Sequence, residues 1–292
     1  MKELFAGVAT ALITPFRDGT VDFGALGRLL DRQTEAGIPA VVIAGTTGES
    51  PALTYEEFGE IMRFSRTRYE KILIAGCGAN CTARAVELAK IAAEAGADAL
   101  LAVTPYYNKA SRAGLLEHYR AICGVGKPVI VYHVPTRTGL RLSLADFSAL
   151  AGLEGVCGVK ECSGDPLLLR ELAVRFRDRW TVWTGNDDNL PAAVKRGARG
   201  VISVVSNLLP EKTAAWCAAA LDGDTVRENA LSSALSEKIA SLFWEVNPIP
   251  VKYVAAKMGL CQPEYRLPMT PPDPATARRL ETLWRDEISR AT

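Results

Sequence analysis

Eight short β-rich apolar runs, recurring along most of the chain, constrain its fold more than any other feature. They are VATALITPF from Val8, AVVIAGT from Ala40, KILIAGC from Lys71, ALLAVTPYY from Ala99, PVIVYHVP from Pro128, VCGVKECS from Val156, TVWTGND from Thr181 and GVISVVSN from Gly200. Their starts lie 32, 31, 28, 29, 28, 25 and 19 residues apart. Between most of them are segments with helical apolar spacing, such as FGALGRLLDRQTEAG and ARAVELAKIAAEAG, each ending in a glycine suited to a helix C-terminus. Strands without polar alternation, each followed by a helix, imply a parallel sheet covered by helices. Eight such units predict a closed (β/α)₈, or TIM, barrel. The competing architecture is an open doubly wound sheet, but its first turn would carry a glycine-rich phosphate loop where this chain has TPFRDG.

The eighth run ends near Asn207, and one more helix, roughly Leu209 to Leu221, can close the barrel. The expected division is a catalytic barrel over 1–223 and a helical appendage over 224–292, broken at NPIP (247–250) and at RLPMTPPDP (266–274). No apolar stretch approaches the roughly 20 residues of a membrane span, and the first segment reads as a strand rather than a secretory signal. With 34 basic against 33 acidic side chains there is no footprint for nucleic acid or an anionic membrane. Seven cysteines without the two-residue spacing of a metal or redox motif read as reduced thiols in a cytoplasmic protein. His118 and His133 are the only imidazoles, which disfavours zinc chemistry and Ser-His-Asp hydrolysis, so no metal is expected.

Barrel enzymes work at the C-terminal ends of their strands, which here read GTTGES, TPYYN, YHVPTRTG, VKECSG, TGNDD and ISVVSN. Lys160 is out of place among them. It sits inside an apolar strand, where a charged ammonium is expensive to desolvate. The other ten lysines have surface or snorkelling explanations; for Lys252, in IPVKYVAAK, the stem is expected along an apolar helix face with its head in water. Lys160 therefore either pairs with an acid or serves as an amine nucleophile, and both readings stay open at this level. Glu161 is adjacent but points to the opposite side of the strand.

An amine nucleophile needs proton carriers, and Tyr132, Thr46, Tyr106 and Tyr107 are expected at strand ends facing one mouth. GTTGES offers amides and hydroxyls suited to a carboxylate ahead of the next helix, although Thr54 and Glu57 also read as a capping box there. Arg137, in PTRTG, supplies a forked donor for a second carboxylate.

The combination GTTGES (45–50), TPYYNK (104–109), YHVPTRTG (132–139), GVKECSGD (158–165), GVISVVSN (200–207), NPIPVK (247–252) and YRLPMTP (265–271) resembles the dihydrodipicolinate synthase family over essentially the whole chain. GTTGE and the strand-six lysine alone would mark only the wider group of pyruvate-dependent class I aldolases, with N-acetylneuraminate lyase and 2-keto-3-deoxygluconate aldolase. The resemblance implies that Lys160 forms a Schiff base with pyruvate and that Thr46, Tyr107 and Tyr132 relay protons. Tyr107 would come from a neighbouring subunit of a homotetramer built as a dimer of dimers. Thr47 would hold the pyruvate carboxylate, Gly185 and the Ile202 carbonyl would border the pocket, and Arg137 would hold L-aspartate 4-semialdehyde. No cofactor is implied beyond the covalent pyruvate. Two alternatives remain: another pyruvate aldolase or lyase, and a non-catalytic ligand-sensing barrel.

His133 stands where the family usually has Asn. At the family's lysine-effector positions Ser50, Asn80 and Tyr106 are kept, but Phe58 replaces a polar residue and Arg84 replaces an acid. An arginine there repels a cation, so weak or absent inhibition by lysine is expected.

Overall fold

The computed structural model describes residues 3–291. Eight parallel strands form its centre: β1 (Gly7–Ala11), β4 (Ala40–Ile43), β5 (Ile72–Gly76), β6 (Ala99–Val103), β7 (Val129–His133), β8 (Val156–Glu161), β9 (Thr181–Thr184) and β10 (Gly200–Ser203). Each begins within one residue of its expected start. They close in the order β1-β10-β9-β8-β7-β6-β5-β4, with β4 paired back onto β1, so the sheet is a barrel and the open doubly wound alternative fails. A two-stranded hairpin, β2 (Phe16–Arg17) with β3 (Thr20–Val21), was not expected. The first apolar run breaks after Ala11, because the buried Leu12, Ile13 and Phe16 pack as loop and hairpin rather than as strand.

Helices α1 (Phe23–Glu35), α2 (Tyr55–Arg68), α3 (Thr82–Glu94), α4 (Arg112–Cys123), the short α5 (Pro135–Thr138), α6 (Leu144–Ala151), α7 (Pro166–Arg175), α8 (Leu190–Val194) and α9 (Pro210–Asp222) follow the strands. Helix α9 replaces the expected 209–221. Helices α10 (Thr225–Ser241), α11 (Ile249–Lys257), α12 (Pro274–Leu283) and α13 (Arg285–Ala291) complete the chain. Among the described residues no helix is long and apolar enough to cross a membrane.

Strand periodicity divides the apolar side chains into two cores. The larger lies between sheet and helices and takes Val129, Val131, Val159 and Val182. The smaller fills the barrel and takes Ile130, Tyr132, Cys157, Trp183 and Ile202. Phe5 and Trp183 stack 4.6 Å apart to floor it. Gly158 makes room for that floor, since a Cβ there would lie 2.2 Å from the Thr181 carbonyl oxygen and 2.8 Å from the Trp183 ring. A charged residue on the inward register of β8 thus sits above an aromatic floor, inside a ring of strands.

Candidate active site

Lys160 is that residue. It is 6% exposed and pairs in register with Tyr132 on β7 and Trp183 on β9. Its Nζ lies 4.4 Å from the centre of the Tyr132 ring. Among the described residues no carboxylate lies within ion-pairing distance of it. Glu161 turns outward with the strand period and is committed elsewhere: it accepts from His133 Nδ1 at 2.6 Å and from the Ser163 amide at 2.5 Å. The Leu142 amide donates to His133 Nε2, so the imidazole proton belongs on Nδ1, facing the Glu161 carboxylate. The buried-ion-pair reading of Lys160 therefore lacks a partner.

A cavity of about 240 Å³ opens over the lysine, lined among others by Thr46, Thr47, Tyr132, Arg137, Cys162, Gly185 and Asn247. Two cations, Lys160 and Arg137, line it and no acid does. A small, polar, cationic chamber suits a carboxylate-bearing molecule of a few carbons. Burial raises the Tyr132 phenol above its ordinary pKa, and the Lys160 ammonium and the nearby Thr46 side chain pull it back. Cys162 contacts the same phenol, and burial pushes its thiol up to about 12, so it is a neutral wall rather than a reactive thiolate. Gly185 is sterically required: a Cβ there would lie 2.4 Å from Lys160 Cε and 2.1 Å from Cys162 Sγ.

The GTTGES loop reaches the cavity through a tight turn. Ala44 (φ 52°) and Glu49 (φ 53°) bracket it in the left-handed region, where non-glycine residues are strained. Gly48 is closely packed, a Cβ there lying 3.1 Å from Ala44 Cα, the Leu12 carbonyl oxygen and Thr14 Oγ1. The amides of Gly48, Glu49 and Ser50 are spent on carbonyls within the turn, which leaves those of Thr46 and Thr47 outside its internal bonding. Helix α2 begins only at Tyr55 behind a Thr54–Glu57 capping box. The capping reading holds, and a short turn at Ser50–Ala52 sets the loop apart from the N-terminus of α2.

The expectation that Tyr106 and Tyr107 face this mouth of their own chain is corrected: Tyr107 is 90% exposed at φ 68°, Tyr106 is half-buried, and neither lines this cavity, since the turn after β6 swings them outward. Ile202 is wholly buried in the barrel core and is not among the lining residues. Phe58 is 2% exposed on the core face of α2, whereas Arg84 lies on the surface, 5.8 Å from the Tyr55 ring centre. Ser50 and Asn80 are half-buried.

Lys252 is not a snorkelling residue. It is 0% exposed and paired with Glu49 at 2.5 Å, because α11 packs onto the GTTGES loop instead of facing water. Asn247 was missed as a lining residue. Its Nδ2 donates to Thr47 Oγ1 at 3.0 Å, and its carbonyl accepts from Arg137 at 3.1 Å. NPIPVK carried the signal, but it reads as a chain break until the appendage is placed over the barrel mouth.

A model of the dihydrodipicolinate synthetase family matches residues 4–285. A 4-hydroxy-tetrahydrodipicolinate synthase from Caldicellulosiruptor bescii is 43% identical over 272 residues, spanning 92% of this chain and 92% of that protein. The crystal structure of dihydrodipicolinate synthase from Aquifex aeolicus superposes with a TM-score of 0.93 at 37% identity, covering 97% of this chain and 98% of that one. The chloride-inhibited dihydrodipicolinate synthase from Acinetobacter baumannii, solved in complex with pyruvate, gives a TM-score of 0.93 at 36% identity over the same shares.

Proposed function

The chain belongs to the dihydrodipicolinate synthetase family, and on that premise we propose that it condenses pyruvate with L-aspartate 4-semialdehyde. It is a class I, Schiff-base synthase forming 4-hydroxy-tetrahydrodipicolinate on the diaminopimelate route to lysine. The observation that carries this reading is a single buried lysine with no acid partner, at the base of a small cationic cavity. The working parts are a catalytic barrel over 1–223 and a helical appendage over 224–292 of a cytoplasmic enzyme.

The Lys160 amine adds to the pyruvate ketone and, with loss of water, becomes an imine; no other cofactor is needed. The carboxylate lies against the Thr46 and Thr47 amides and the Thr47 hydroxyl. That hydroxyl accepts from Asn247, so its own hydrogen points onward to an anion. Tyr132, beside Thr46, gives its proton to the carbinolamine hydroxyl as water leaves, and its phenolate then takes a methyl proton to leave an enamine. The enamine carbon attacks the aldehyde, whose oxygen takes a proton, while Arg137 holds the second carboxylate by a two-pronged contact. The new substrate's amine then displaces Lys160 from the imine and closes the ring. Gly185 keeps the wall beside Lys160 open.

Exposure of Tyr107 supports its use by a neighbouring copy, as in a homotetramer made of two dimers. A coupled assay with aspartate semialdehyde, run beside retro-aldol assays on sialic acid and 2-keto-3-deoxygluconate, tests the reading. Turnover of the semialdehyde alone is expected, and cleavage of a sugar acid instead would replace it with a lyase. With Arg84 at the effector position, weak or absent inhibition is expected at submillimolar lysine, measured at fixed substrate; strong inhibition would overturn that part.

A further inference from the structure

The mechanism above leaves the buried Glu49–Lys252 pair without a part, although it is built into the same loop that carries Thr46 and Thr47. Glu49 ends that loop in a left-handed conformation, which surroundings must hold in place. Both of its carboxylate oxygens are satisfied from the appendage. Oε1 takes Lys252 Nζ at 2.5 Å, 203 residues away in sequence, and Oε2 takes the Arg266 amide at 3.2 Å. Lys252 is sealed by the rings of Phe16, 4.1 Å from its Nζ, and Tyr265, 5.3 Å away. Five residues earlier, Asn247 bonds to both Thr47 and Arg137. One short stretch of the appendage, 247–252, thus touches the residues assigned to both carboxylates.

We propose that Glu49 and Lys252 are positioning residues for the reaction. Their ion pair sets the angle of the 45–49 turn, and through it the Thr46 and Thr47 donors that receive the first substrate's carboxylate. The appendage is then a wall of the active site and not a cap on the barrel. Neither residue touches substrate; both act through the turn. A buried charge pair suits this use because its directional bonds hold one arrangement, while hydrophobic contact in the same place would tolerate several.

The inference rests on the Schiff-base reading, and its test separates the two. The full-length parent, Glu49→Gln, Lys252→Met and the double variant E49Q/K252M are incubated with increasing pyruvate and reduced with borohydride. The adduct on Lys160 is quantified by mass, beside steady-state constants for each substrate and a thermal melt. Removing both charges spares the fold the unpaired buried charge of the single variants, so the double variant carries the test if a single variant fails to fold. The pyruvate concentration for half-maximal trapping is expected to rise about tenfold or more in the double variant, as small displacements of positioned groups do. Its KM for the semialdehyde should change less, and Lys252→Arg should recover part of the loss. If the parent forms no adduct, the Schiff-base reading falls. If the parent traps and the folded double variant traps at the same pyruvate concentration, the pair is structural only and the proposal is overturned, whatever the melting temperatures.

Discussion

Lys160 and Lys252 are the two lysines found buried among the described residues, and their surroundings differ in kind. Lys160 lies on a strand, over the face of Tyr132, with a cavity above it and, among the described residues, no carboxylate within ion-pairing distance. Lys252 lies on a helix, sealed between Phe16 and Tyr265, with Glu49 against its Nζ and no lining role in that cavity. Burial lowers the Lys252 pKa, and the Glu49 carboxylate pulls it back up. Burial by itself therefore does not mark a nucleophile. What separates the two is the partner: a lysine matched to a carboxylate is held, and one facing a chamber with no acid in its lining is available to react.

The comparison can be broken most directly at Lys160. Lys160→Ala should leave the fold intact and abolish both turnover and the borohydride adduct with pyruvate, read by peptide mapping. An adduct on Lys252 in its place would reverse the assignment. The opposite lysine is tested by stability. Lys252→Met strands Glu49 in the interior, and breaking a buried pair in this way costs about 3 to 5 kcal/mol, measurable by urea unfolding. A loss under about 1 kcal/mol would mean that water reaches Glu49 and that the pair resembles an exposed one.

Gly185→Ala sharpens the steric half of the contrast. The new methyl group must displace Lys160 or Cys162, and a lowering of kcat by on the order of 10²-fold is expected with little change in unfolding midpoint. Parental kcat would show that the lysine has more freedom than its packing suggests.

The smallest effect concerns a third buried base. His118 has Thr82 Oγ1 at 3.0 Å from Nδ1 and, among the described residues, no charged partner, and burial pushes it down to about 4 from 6.5. The unfolded chain then binds the extra proton first as pH falls. Stability present above about 6.5 should decline toward pH 4, and His118→Gln should flatten that slope in urea melts at stepped pH.

Much of this was legible in the chain. The starts of all eight strands, the inward register of Lys160, the outward turn of Glu161 and the Thr54–Glu57 cap each follow from neighbours within a few residues, where side-chain period and propensity act. The apolar run through Phe16 misled because its end is buried by the appendage and not by the sheet: Phe16 packs under Lys252 and Arg266. Tyr106 and Tyr107 misled because a strand end fixes the position of a residue but not the direction in which the following turn aims it.

From sequence alone came the barrel, the lysine at its mouth and the hydroxyls and arginine nearby, since each is written in local periodicity and in residue type. Only the tertiary structure decided that Lys252 is buried, that Glu49 is its partner, that Asn247 joins Thr47 to Arg137 and that Gly185 clears a path for Lys160. The reason is physical. Desolvation and pairing depend on what covers a side chain, and residues that cover these sites lie 200, 203 and 217 positions away along the chain.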